Sequence, residues 1–226
     1  MRAYLTGFFA LLFATQVYAF SLSDLSQSQA DDGLKAMLEQ STRAAVQQLG
    51  QPGGFNDNPE VRIELPGNLG KAARAMKMFG QGKQVTALEN SINSAAEQAI
   101  PEAQALLLDA VRKMTISDAK GILNGPENSA TAYLDKSSRE QLRSRFLPII
   151  QQVTQSSGLA QQYNNFAGQA ANYGVIDTKD ASIEHYVTEQ ALDGLFTVIA
   201  EQEAAIRQNP AQAATNIAKK VFDLIR

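Results

Sequence analysis

Residues 182–208 read SIEHYVTEQALDGLFTVIAEQEAAIRQ, and this stretch decides the fold class. Its apolar residues recur at spacings of three and four, as from Val187 to Ala191, which is the period of one helix face. The middle of the stretch is apolar on more than one side, because Leu192 and Phe196 lie off the main stripe. A helix with this pattern is typical of the centre of a bundle. The stretch therefore predicts a central helix in an all-α protein.

Amphipathic stripes of the same period fill most of the remaining chain. They run over residues 28–49, 69–79, 85–99, 106–114, 117–123, 126–134, 137–150, 159–170 and 210–225. Together with the central helix they predict a single-domain bundle of about eight to ten helices over residues 28–226. Ser28, Ser117 and a capping box at Ser137 are expected helix starts, and Pro148 is an expected kink.

Composition narrows the chemistry that the chain can carry out. The sequence is rich in the helix formers Ala and Gln, and it contains no Cys, no Trp and a single His. The absence of Cys excludes disulfides, thiol catalysis and Cys-ligated zinc or iron–sulfur clusters. The single His excludes multi-histidine metal sites. We therefore expect a globular protein with neither a metal nor another cofactor.

The N-terminus, residues 1–19, has the pattern of a secretory signal peptide. One basic residue, Arg2, precedes an apolar run over residues 3–14, and the closing Val-Tyr-Ala19 matches the small-residue preference of a signal peptidase site. The run is shorter than the ~20 residues of a membrane-spanning helix. We expect export to the periplasm, cleavage near Ala19, a short polar lead over 20–27 and no later transmembrane segment. A retained N-terminal anchor is the alternative.

The charge of the chain argues against a nucleic-acid partner. Its formal net charge is −3 at pH 7, and removal of a signal peptide that contains Arg2 makes the mature chain more acidic. Nucleic-acid-binding domains are usually basic, and their basic residues are often interleaved with aromatic ones. Neither feature is present, so we expect no nucleic acid among the partners.

One stretch, from Arg62 to Lys83, carries a local excess of positive charge. Its basic residues are Arg62, Lys71, Arg74, Lys77 and Lys83. No acidic residue lies between Glu64 and Glu89. Lys71, Arg74 and Lys77 share one helix face, opposite the apolar face on which Phe79 is expected. We predict that this patch, with Lys71, Arg74 and Lys77 as binding residues, contacts an anionic lipid headgroup, a phosphate or an acidic partner. A solvated helix face is the alternative.

Residues 52–66 have the most unusual combination of neighbouring residue types in the chain. A cluster of turn formers is followed by the alternating stretch VRIEL, residues 61–65, which is typical of extended chain but has no evident partner strand. We interpret the segment as one short extended clasp laid across helices, with a functional loop as the alternative. Phe55, Asn58 and Arg62 are its candidate binding residues. Phe55 requires burial, Asn58 can close an Asx turn, and Arg62 lies between apolar neighbours.

His185 is the remaining candidate for catalysis. It precedes Glu189 by four residues and Asp193 by eight. An imidazole held by Glu189 would serve as a general base, or the three residues together would offer a weak metal site. The alternative is an ordinary i,i+4 polar contact. No pair of carboxylates is singled out by its spacing and no nucleophile elbow is present, so we assign no catalytic or metal-binding residue.

Three glycines, Gly121, Gly168 and Gly194, lie inside helical patterns. Each costs about 1 kcal/mol relative to alanine in a helix. Close helix–helix approach is the usual compensation, and a ligand cleft is the rarer one.

Four stretches together resemble a bacterial family of small exported helical proteins that is known only as a domain of unknown function. They are GFNDNPEVRIELP (54–66), EQAIPEA (97–103), SDAKGILNG (117–125) and YVTEQALDGLF (186–196). The resemblance extends over 22–226, nearly the whole mature chain. It implies export and a single domain, and it implies no activity, ligand or catalytic residue.

The motifs that are missing favour binding over catalysis. With no second His, no Cys, no nucleotide-binding loop and no nucleophile motif, we predict a non-catalytic binding or interaction module of the bacterial periplasm. Its partner is an unknown protein or small-molecule ligand. Two alternatives stay open: a carrier of a hydrophobic or amphipathic small molecule inside the bundle, and a carboxylate-dependent hydrolase that uses His185.

Overall fold

The fold is an assembly of α-helices. A computed structural model describes residues 26–80, 82–156, 158, 161, 163 and 182–224. The α-helices are α1 (Gln27–Leu49), α2 (Gly67–Met78), α3 (Gly82–Ala99), α4 (Ala103–Lys113), α5 (Ile116–Leu123), α6 (Ser129–Ser156), α7 (Ile183–Gln208) and α8 (Asn216–Leu224). Two 3-10 turns cover Ile100–Glu102 and Pro210–Gln212. No β-strand occurs over the described residues, and the all-α prediction is confirmed.

Helix α7 is buried on more than one side, as its apolar pattern predicts. It packs against α1, α3 and α6, and Val187 on the main stripe is fully buried. Leu192 and Phe196, which lie off that stripe, are buried as well. Each large apolar side chain buried in this way contributes about 1.5–3 kcal/mol. Among the described helices, none combines the length and the apolar character needed to cross a membrane.

Two helices begin before the residues expected to cap them. Ser26 caps α1 in place of Ser28, and Thr115 caps α5 in place of Ser117. In both cases a Gln or an Asp three positions after the cap completes a capping box, so two backbone donors are satisfied reciprocally. The predictions at Ser28 and Ser117 are wrong, because both residues already lie inside the helices that Ser26 and Thr115 cap.

The capping box predicted at Ser137 is also wrong, since the two helices expected on either side of it are one continuous helix, α6. The Ser137 hydroxyl donates to the carbonyl of Tyr133 at 2.8 Å, as serines do inside helices. The first turn of α6 is capped instead by Glu203 of α7, whose fully buried carboxylate accepts from the backbone N–H of Thr131 at 2.8 Å. Pro148 lies inside α6, and the kink expected there stays a prediction.

The last helix starts later than expected. Pro210 opens a 3-10 turn, and α8 begins at Asn216. Helix α8 packs against α1 at Gly33, where a Cβ atom would collide with the side chain of Val221. The helix expected over 159–170 lies largely outside the described residues, so the number of eight to ten helices stays a prediction.

Residues 52–66 connect α1 to α2 without forming a strand. Val61, Ile63 and Leu65 are buried, whereas the polar residues between them are more exposed. The alternation in the sequence therefore corresponds to an inner and an outer side of extended chain. The backbone of this segment forms hydrogen bonds with side chains of α3.

Candidate functional site

A buried carboxylate of α3 holds the first turn of the 52–66 segment. Glu97, which is 6% exposed, accepts hydrogen bonds from the backbone N–H groups of Phe55 and Asn56, each at 3.0 Å. A carboxylate tolerates such burial only when protein donors replace the lost water. The ring of Phe55 is fully buried. The structure thus places Phe55, a predicted binding residue, in the packing of the fold.

A buried amide of α3 holds the second half of the same segment. The Asn93 side chain accepts from the backbone N–H of Ile63 at 2.8 Å and donates to the carbonyl of Ile63 at 2.9 Å. Asn93 is fully buried, and it also donates to the carbonyl of Glu89. One side chain therefore satisfies both backbone groups of Ile63, as a neighbouring strand would.

The segment lies directly on α7 at Gly194. A Cβ atom at this position would be 2.8 Å from Cε1 of Phe55 and 3.2 Å from Cβ of Val61, which is too close for a side chain. The close approach predicted for the helical glycines occurs here, but its partner is the extended segment and not a helix. Gly121 has open space around its Cβ position, and Gly168 lies outside the described residues.

Arg62 and Asn58 form hydrogen bonds within the 52–66 segment, and Arg62 also forms one with α3. Arg62 donates to the side chain of Asn56 at 3.2 Å and to that of Asn90 at 3.1 Å. The Asn58 side chain accepts from the backbone N–H of Glu60 at 3.1 Å, which forms the expected Asx turn. The contacts of both residues stabilise the path of the chain.

The positive patch expected between Arg62 and Lys83 is partly neutralised by Glu89 of α3. The carboxylate of Glu89 lies 2.7 Å from Nζ of Lys77 and 3.8 Å from the Arg62 guanidinium. Glu89 is the first acidic residue after Glu64 in the sequence. The chain reverses near Gly80, between α2 and α3, and this brings Glu89 beside Lys77. Lys71, Arg74 and Lys83 are exposed, and among the described residues none of the three forms an ion pair.

Two large apolar side chains are exposed where α2 turns into α3. Met78 is 85% exposed and Phe79 is 83% exposed. The prediction that Phe79 lies on a buried helix face is wrong, because α2 ends at Met78 and the helical period ends with it. Gly80 follows with a φ of +81°, a conformation that favours glycine. We call residues 78–80 the hairpin tip; sequence reasoning missed Met78, and the glycines at 80 and 82 are the signal that could have indicated it.

The sequence model of one family, described as "Protein of unknown function (DUF4197)", matches residues 24–223. The chain belongs to the DUF4197 family. The matched range contains the 52–66 segment and the hairpin tip, so both lie within the DUF4197 region. Neither a curated protein nor a solved structure matches the chain.

The catalytic candidate of this DUF4197 protein, His185, lies on the exposed surface of α7. Its expected partner Glu189 binds Arg139 and Arg143 instead, and Asp193 accepts from Arg139 at 2.9 Å. Burial raises the pKa of Glu189, but the hydrogen bonds and charges of Arg143 and Arg139 outweigh burial and lower the pKa overall. A carboxylate stabilised in this way is a weak base. Over the described residues, no three potential metal ligands of the His, Cys, Asp and Glu types cluster.

Two open grooves mark the surface of the DUF4197 fold. One, of about 380 Å³, lies between α6 and α7 and is lined in part by Thr131, Arg139 and Phe196. The other, of about 440 Å³, lies between α1 and α4 and is lined in part by Leu108 and Arg112. The guanidinium of Arg139 sits 5.4 Å from the centre of the Phe196 ring, so this arginine is already engaged by the protein.

Proposed function

We propose that the chain is a non-catalytic binding module of the bacterial periplasm and that its binding surface is the α2–α3 hairpin. The observation that carries this proposal is the set of exposed cations Lys71, Arg74 and Lys83, which have no ion-pair partner among the described residues. Residues 65–88 contain no Asp or Glu. Such a surface attracts anions even on a chain whose net charge is negative.

The cellular location is part of the same proposal. Residues 1–19 have the signal-peptide pattern, and we propose cleavage near Ala19 and a single helical domain over 28–226. The 52–66 segment then acts as a structural clasp. Its support is the burial of Phe55 and the hydrogen bonds that its backbone N–H groups donate to the side chains of Glu97 and Asn93.

The carrier and hydrolase alternatives have weaker support. A carrier needs an enclosed apolar pocket with a few polar groups, and neither of the two grooves found among the described residues provides one, because both are open to solvent. A carboxylate hydrolase needs acids that converge in a cleft with free oxygens. The fully buried Glu203 binds donors at the start of α6, and the buried Glu97 binds donors in the clasp.

Heparin chromatography at low salt tests the anionic-partner proposal. We expect the protein to be retained and to elute as salt screens the interaction. The Lys71→Glu/Arg74→Glu variant should pass through. The control Lys136→Glu/Arg145→Glu reverses two exposed cations of α6 with the same change in net charge, and it should elute with the unaltered protein. Failure of the unaltered protein to bind, or equal losses in both variants, would contradict the proposal.

A further inference from the structure

The hairpin tip exposes more apolar side chain than folding alone explains. Met78 and Phe79 are adjacent and more than four-fifths exposed, whereas the other exposed large apolar residue of the described chain, Ile116, is 45% exposed. Neighbouring exposed apolar side chains of this size often mark a surface that meets another phase or a partner.

The glycine that follows these side chains has open space at its Cβ position. Gly80 takes the left-handed conformation that reverses the chain, and a Cβ atom there would meet nothing within 4 Å. Helix α2 packs chiefly against α3. Since Met78 and Phe79 are more than four-fifths exposed, both side chains can leave water with little loss of contact inside the protein.

Basic residues lie on both sides of Met78 and Phe79 in the sequence, at increasing distances from them. Lys77 directly precedes Met78, and Lys83 follows Phe79 by four residues. Arg74 lies one helical turn before Met78 along α2, and Lys71 lies two turns before it. At 1.5 Å per residue, Arg74 is about 6 Å and Lys71 about 10 Å behind Met78 along the helix axis. This order matches a bilayer interface, in which apolar side chains enter about 5–10 Å and lysine and arginine remain with the headgroups.

We infer that the hairpin tip inserts into the surface of a bilayer that contains acidic phospholipids. The inference rests on the proposed function, because the same cations supply the attraction. Charge complementarity favours an acidic lipid surface: residues 65–88 contain no acid, and Lys71, Arg74 and Lys83 form no ion pair among the described residues, whereas Lys77 is paired with Glu89. A stable protein interface usually covers about 800 Å² on each partner, far more than the two apolar side chains at this turn present.

Vesicle co-sedimentation tests the inference. The unaltered protein should bind vesicles of phosphatidylcholine with phosphatidylglycerol, should lose binding at high salt, and should not bind phosphatidylcholine alone. Met78→Ser/Phe79→Ser should weaken vesicle binding about tenfold or more, because it removes the inserted apolar surface, and should leave heparin retention unchanged. Both positions are exposed, so the urea midpoint of this variant should match that of the unaltered protein.

The outcomes separate this inference from the proposed function. Vesicle binding that is unchanged in the Met78→Ser/Phe79→Ser variant would overturn insertion and leave the anionic surface intact. Heparin retention without any vesicle binding would also overturn insertion, and would leave an anionic partner other than a bilayer. If Lys71→Glu/Arg74→Glu keeps full heparin retention, the proposed function itself is wrong.

Discussion

Phe55 and Phe79 occupy two turns of similar composition and have opposite surroundings. Phe55 follows Gly53 and Gly54, while Phe79 precedes Gly80. The first ring is fully buried on α7, and the second is 83% exposed at the hairpin tip. Both turns belong to the same family region, so the comparison separates a turn built for the fold from one that faces outward.

The polar groups around the two turns differ in the same way. Around the 52–66 segment, Arg62 and the α3 side chains of Asn93 and Glu97 all have hydrogen-bond partners inside the chain. At the hairpin, Lys71 and Arg74 have no ion-pair partner among the described residues. The internal hydrogen bonds account for the position of the first turn, whereas the solvated cations of the hairpin are the groups to which we assign an external anion in the proposed function.

The largest expected difference in the free energy of unfolding is the one between the Phe55→Ala and Phe79→Ala variants. Phe55→Ala removes a fully buried ring and should lower the free energy of unfolding by about 3–5 kcal/mol. Phe79→Ala should change it by less than about 0.5 kcal/mol, because its ring is already in water. Urea unfolding followed by circular dichroism measures both. Equal losses of stability would show that the hairpin tip is buried in solution and would remove the contrast.

A second pair of variants compares the inner and outer sides of α3. Asn93→Ala leaves the backbone N–H and C=O of Ile63 buried without partners, and it should cost about 1–3 kcal/mol for each group that water cannot reach. The control, Asn90→Ala, removes an exposed contact with Arg62 and should cost about 1 kcal/mol or less. If the two variants have the same urea midpoint, Asn93 does not hold the 52–66 segment in place.

The smallest effect concerns the contact between Glu60 of the 52–66 segment and Glu201 of α7. Burial, followed by the neighbouring Glu60, raises the pKa of Glu201. A carboxylate with a raised pKa in the folded state destabilises that state once the pH exceeds this pKa. Glu201→Gln should therefore increase stability at about pH 7 by less than about 1 kcal/mol, and the gain should vanish near about pH 3.5, where both states are protonated. A gain that persists at the lower pH would contradict this electrostatic origin.

Local patterns in the sequence predict a large part of this fold. The apolar period predicts α7, and the alternation of residues 61–65 predicts one buried and one exposed side of extended chain. The caps are predicted only to within two residues: Ser26 and Thr115 form capping boxes, but Ser28 also has an acid, Asp31, three positions later, so the pattern alone does not select Ser26.

Contacts between distant residues could not be predicted in this way. Glu203 caps a helix that begins more than seventy residues earlier in the chain, and Asn93 pairs with a backbone thirty residues away. Glu89 approaches Lys77 only because the chain reverses between α2 and α3. Each contact depends on how helices pack, and neither composition nor periodicity contains that information. The exposure of Phe79 depends likewise on where α2 ends.

Tryptophan fluorescence tests most directly whether the hairpin tip inserts into an acidic bilayer, because the chain contains no tryptophan of its own. Phe79→Trp places a single indole at the hairpin tip, and Ile116→Trp places one at another exposed apolar position, near Asp118. On addition of vesicles that contain phosphatidylglycerol, the emission of the Phe79→Trp protein should shift to shorter wavelength and become protected from acrylamide, as expected for an indole that leaves water. The Ile116→Trp protein should show neither change. An unchanged spectrum from the tip indole, with the protein folded and the vesicles in excess, would contradict insertion.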